Sequence, residues 1–167
     1  MIPKGTVFKS IGDPHCDEWI YVYDPSNAHD DEVYTTIFSQ YLINNHGPGA
    51  DYATYYEATR DLSELPVDEA KRIFNDIYED DVEQYAMELN RVYDLVVDYG
   101  IKDPDPWFVF CRSMENPELY KIALRFLLET SKRYDAMEDF NDCGFYHGVS
   151  TAKLIFYPNN KLKVISR

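Results

Sequence analysis

Basic residues are scarce in this chain: 16 Lys and Arg stand against 30 Asp and Glu, a formal charge of −14 over 167 residues. That balance opposes attraction to phosphate backbones and anionic lipid, so neither direct nucleic-acid binding nor membrane binding is expected. Cysteine is sparse too. Cys16, Cys111 and Cys143 are odd in number and far apart, neither a disulfide framework nor a CxxC pattern, which points to reduced thiols and a cytoplasmic protein. No stretch approaches the roughly 18 apolar residues of a membrane span, and residues 1–12 lack the continuous apolar segment of a secretion signal. Walker, GxGxxG, GxSxG and HExxH patterns are all missing, so no catalytic motif and no cofactor is expected.

What is present belongs to one folded domain spanning 1–167. Apolar residues make up 45 % of the chain and aromatic residues 16 %, with 15 Tyr, enough for a core without metal or disulfide. Residues 6–11 and 18–23 are short, β-branched and aromatic, and read as a β-hairpin within 1–25. A helical region follows over 30–140. Val33, Ile37, Phe38 and Tyr41 mark its first helix, stopped at His46-Gly47-Pro48. Tyr52, Tyr55, Tyr56, Thr59 and Leu62 suggest a second. Pro66 opens a third with Ala70, Ile73, Phe74 and Ile77 inward.

Asp80, three before Glu83, is the expected cap of a fourth helix, whose seam is Val82, Tyr85, Leu89, Val92, Val96 and Tyr99. Segment 107–111 fits a buried strand or a helical turn equally. Asn116-Pro117 opens a long final helix with Leu119, Ile122, Ala123, Phe126, Leu127, Tyr134 and Met137 inward. Residues 149–157 and 161–165 read as a second hairpin within 145–167. The expected fold is α+β: an antiparallel sheet made by the N-terminal and C-terminal hairpins, packed against about five central helices.

Charge is distributed unevenly. Residues 1–12 carry +2, residues 13–105 carry −18 and residues 106–167 carry +2, so the whole acidity sits in the central region. Asp76, Asp80 and Glu83 are spaced four and three apart, and Asp94 and Asp98 four apart, where like charges on a helix repel by a few tenths of a kcal/mol per pair. A solvated helix face is the plain reading. Against it, these acids are almost free of Lys or Arg partners at helical spacing, and tyrosines are interleaved among them, offering contact area with a polar tip.

Rows of carboxylates beside aromatic surface are the counterpart of a basic groove that holds phosphates. In composition the chain resembles the small acidic nucleic-acid mimics and toxin-neutralising proteins of phages and bacteria. The expected function is a non-catalytic inhibitor or immunity-type protein that blocks a basic, nucleic-acid-binding protein such as a nuclease. Asp76, Glu79, Asp80, Asp81, Glu83, Asp94 and Asp98 supply the charge, and Tyr52, Tyr56 and Tyr78 the exposed contact anchors.

Two weaker constellations support an alternative, a small hydrolase or metal-dependent enzyme. His15-Cys16-Asp17-Glu18 with His29-Asp30-Asp31-Glu32 gathers mixed ligands near two turns, although capping explains the aspartates. Cys143 with His147 pairs a thiol and a base, but Glu138, Asp139 and Asp142 work against a thiolate there. No metal site is expected from either.

Overall fold

The computed structural model describes residues 1–10, 19–24, 54–97, 105–113, 116–138 and 152–166. Strands β1 (Val7–Ser10) and β2 (Trp19–Tyr23) pair antiparallel, with Lys9 opposite Tyr23, as their β-branched and aromatic content predicts. Next come β3 (Thr54–Ala58), α1 (Val67–Asp80), α2 (Val82–Val97), α3 (Pro106–Ser113) and α4 (Tyr120–Ser131), the last preceded by a 3₁₀ turn at Pro117–Leu119. Strands β4 (Ala136–Glu138), β5 (Ala152–Phe156) and β6 (Leu162–Ser166) complete one six-stranded sheet in the order β4-β5-β2-β1-β3-β6. Every neighbouring pair is antiparallel. The two ends of the chain therefore share a sheet, as expected, and it packs with four α-helices among the described residues. None of these helices is long and apolar enough to cross a membrane.

Three expected elements are corrected. The tyrosine-rich segment after residue 52 is a strand, β3, not a helix; its Thr and Tyr side chains fit the pleated slot between β1 and β6, and this long-range ladder overrides a helical spacing that covers only a few residues. The C-terminal strands do not form a hairpin. β5 pairs with β2 and β4, whereas β6 pairs with β3 at the far edge. Between them lies a 3₁₀ turn, Pro158–Asn160, entered through Tyr157 in the left-handed region at φ 49°, which redirects the chain instead of folding it back. Finally, the last helix stops at Ser131, and Met137 lies in β4.

That short link between β5 and β6 requires a curled sheet. Four strand spacings would separate them by about 19 Å if it were flat, and a 3₁₀ turn rises only about 2 Å per residue. The curl is completed where the chain beyond β3 touches β4. Glu64 forms a parallel bridge with Ala136, and the Ser63 carbonyl accepts the N–H groups of Asp135 and Ala136, each at 3.0 Å. Ile2, Phe8, Ile20, Val22, Ala58, Leu62, Ala136, Ile155 and Leu162 form a core drawn from every strand and no helix, which places it inside the curl.

The outer face of β4 and β5 presents Met137, Leu154 and Phe156 to the helices. Alternation along β5, with Ile155 inward and its neighbours outward, shows the period of two directly. On the helical side the predicted stripes hold: Ala70, Ile73, Phe74 and Ile77 of α1, Tyr85, Leu89, Val92 and Val96 of α2, and Ile122, Ala123, Phe126 and Leu127 of α4 are buried. Phe110 joins them, stacked on Phe74 at 4.9 Å and edge-on to Phe126 at 5.3 Å. Burying each such ring contributes about 1.5–3 kcal/mol.

Segment 107–111 is helical. Asp105 is the cap: its Oδ1 accepts the Phe108 N–H at 2.8 Å, while Pro106 takes the first helical position, where no N–H is needed. Asp105→Ala is expected to cost about 1 kcal/mol of folding free energy, read from urea denaturation. An unchanged midpoint would show that packing alone holds α3. The first expected helix, with Val33, Ile37, Phe38 and Tyr41, lies outside the described residues.

Candidate functional site

Asp76, Glu79 and Asp80 end α1, Asp81 links the helices and Glu83 opens α2, with Asp94 farther along it; all six side chains are exposed. Asp76 and Asp80 share a face one turn apart, as predicted. Glu83 does not continue that row. The chain breaks helical geometry at Asp81, φ −149° and ψ 70°, so the acids belong to two helices meeting at a corner. Asp81, not Asp80, caps α2, its Oδ1 accepting the Gln84 N–H at 3.2 Å. Asp98 and Tyr52 lie outside the described residues.

Arg72 and Arg91, at helical spacing from Asp76 and Asp94, pair with Glu69 and Glu118 instead, but Asp80 finds a cation from another element. Arg125 of α4 donates to Asp80 Oδ2 at 2.6 Å and to the Tyr85 hydroxyl at 3.2 Å. The Tyr85 hydroxyl and then Asp80 hold the guanidinium proton more tightly than usual. Sequence spacing could not reveal this contact, because 45 residues separate the partners. Asp76, Glu79, Asp81, Glu83 and Asp94 form no ion pair among the described residues.

Between α1 and α4 runs a shallow cleft of about 210 Å³, lined by Ile73, Asp76, Ile77, Asp80, Arg125, Glu129 and Arg133. Its charges are mixed. Arg133 lies 3.6 Å from Glu69, which also pairs with Arg72, and Glu129 accepts from Lys132 at 3.1 Å. The uncompensated carboxylates therefore concentrate at the corner of α1 and α2, beside the cleft.

The tyrosine anchors are corrected. Tyr56 is half-buried in β3 against the inner core, and Tyr78 is half-buried with its ring stacked on Phe74 at 5.9 Å. Apolar exposure beside the acids comes instead from aliphatic residues of α2: Val82 (47 %), Met87 (47 %) and Leu95 (52 %). Val82 was expected in the seam but sits in the first turn, before α2 reaches the core. Met87 follows Glu83 by one turn and precedes Asp94 by two, so an exposed apolar group lies between two acids on this face, and Leu95 is exposed about 100° round the helix from Asp94. The signal for Met87 and Leu95 was their position off the seam.

Among the described residues no group of three or more His, Cys, Asp or Glu could hold a metal ion. His15, Cys16, His29, Cys143 and His147 lie outside the described residues, and of the acids set beside Cys143 and His147, Glu138 is described, at the end of β4. No family model, no curated protein and no solved structure matches this chain.

Proposed function

We propose that this protein is a non-catalytic acidic inhibitor that covers the nucleic-acid-binding surface of a basic protein target. The observation that carries the reading is the corner of α1 and α2. Five consecutive turn and helix positions there, Glu79 to Glu83, include four acids; among the described residues only Asp80 has an ion-pair partner, and aliphatic side chains are exposed next to them. Leaving Asp76, Glu79, Asp81 and Glu83 unpaired costs repulsion that interspersed Lys would remove at no loss of solubility. Such a field steers association with a surface built to hold phosphates. Met87 and Leu95 add desolvated contact, the part of an interface that electrostatics alone does not provide.

The test is competition. The binding partner captured by the full chain should bind nucleic acid by itself, and increasing amounts of the chain should displace that nucleic acid. A partner with no nucleic-acid affinity, or a complex in which both ligands bind together, contradicts the proposal.

A further inference from the structure

Glu88 is the buried acid among the described residues, 3 % exposed on the inward side of α2. Its carboxylate lies beside the backbone N–H groups of Lys121 and Ile122 at the first turn of α4, among the donors a helix start leaves without intrahelical partners. Its Oε2 has no hydrogen-bond partner among the described residues. The carboxylate is thus buried beside the start of α4 with one oxygen unpaired.

We propose that Glu88 makes the junction of α2 and α4 proton-linked, taking up a proton as the two helices dock, so that the joint is firmest at mildly acid pH and loosens as pH rises. The charges around it oppose this. Lys121 of α4 and Arg91 of α2 favour the carboxylate; Glu118 of the 3₁₀ turn engages Arg91 at 3.5 Å, and Arg112 is the charged residue of α3. Burial outweighs them and pushes the Glu88 carboxyl above the ordinary glutamate range, the two N–H groups pulling the other way.

The direction follows from proton counting. Between its ordinary and its raised value, the folded chain holds a proton that the unfolded chain has lost, so this contribution to stability falls as pH rises through that window and is constant above it. The consequence for binding rests on the proposed function: α2 carries Glu83, Met87 and Asp94, so the joint governs how firmly this part of the acidic surface is presented.

The test uses the full chain in two NMR measurements, the ¹³C titration of the Glu88 side-chain carboxyl and the protection of the Lys121 and Ile122 amides between pH 4 and 8. The carboxyl midpoint is expected above the ordinary value of about 4.3. Opening of the two amides, corrected for intrinsic exchange, should increase about threefold or more across it, and Glu88→Gln should abolish that increase. A carboxyl that titrates at or below the ordinary value overturns the proposal, and this outcome is read on the wild-type chain even if the variant fails to fold. Opening that does not vary with pH, or that varies equally in Glu88→Gln, overturns it as well. Nucleic-acid competition is not involved, so failure here and failure of the inhibitor reading remain distinct.

Discussion

Asp135→Ala is expected to lower folding stability by about 3 kcal/mol, read as a fall in the urea midpoint at pH 7. Asp135 sits at the seam that closes the sheet. Arg60 donates to both of its oxygens at 3.1 Å, the Ser63 N–H and hydroxyl donate to Oδ2 at 2.9 and 3.2 Å, and the Lys161 ammonium lies 3.1 Å from Oδ1. Lys161 is itself buried and donates to the Phe156 carbonyl at 2.6 Å. Removing the carboxylate leaves that ammonium with one neutral acceptor in a site closed to water. A side chain 18 % exposed sets the cost at the lower end of that for breaking a buried pair.

The same group predicts an acid dependence. Burial alone would raise the Asp135 carboxyl, but the Arg60 hydrogen bonds, the Ser63 N–H and Lys161 outweigh it and hold it well below the ordinary carboxylate range. As pH falls below that range, the unfolded chain binds a proton the folded chain refuses, so the stabilisation is complete above about pH 5 and declines below it. The difference in urea midpoint between wild type and Asp135→Asn should therefore narrow steadily from pH 5 towards pH 3. A constant difference would mean that Asp135 acts through shape alone.

This knot of Arg60, Ser63, Asp135 and Lys161 was invisible in sequence because its members come from distant segments, and Asp135 read as one more surface acid. The helices α1, α2 and α4 were legible, since an apolar stripe at a period of 3.6 is a local property. β3 was not: Tyr52, Tyr55 and Tyr56 suit a helix face and a strand alike, and only the neighbours β1 and β6 decide between them. The C-terminal hairpin failed for a related reason. Adjacent strands usually pair, but a curled sheet brings β5 and β6 near each other without making them neighbours. At the candidate surface, exposed acids can be read from composition, whereas the Arg125–Asp80 contact and the burial of Tyr78 depend on how α1 meets α4 and the core. Glu88, one turn after Tyr85 in a polar stretch, gave no sign that it was buried.

The second large effect concerns binding. Replacing Asp76, Glu79 and Glu83 together by Asn or Gln leaves the Asp80–Arg125 contact intact and relieves like-charge repulsion, so folding should be unchanged or slightly improved. Target association should slow by about tenfold or more at low salt, because steering depends on the summed field, and its salt dependence should flatten. A control triple must avoid acids that line the cleft or close the sheet; a surface pair contributes little and does not disqualify an acid. Glu129 pairs with Lys132 beside the cleft and Asp135 closes the sheet, so Glu57, Asp61 and Asp68 serve better; Glu57 pairs with Lys163, Asp61 accepts the Lys4 N–H, and Asp68 lies in the first turn of α1.

The most direct measurement is the association rate of the full chain with its captured target across a salt series, for wild type and both triple variants. The wild-type rate should fall as the screening length shortens towards about 8 Å at physiological ionic strength. The variant at Asp76, Glu79 and Glu83 should be slow at every salt concentration, and the control should follow wild type. Equal losses from the two triples, or a wild-type rate indifferent to salt, would contradict a binding surface at the corner of α1 and α2.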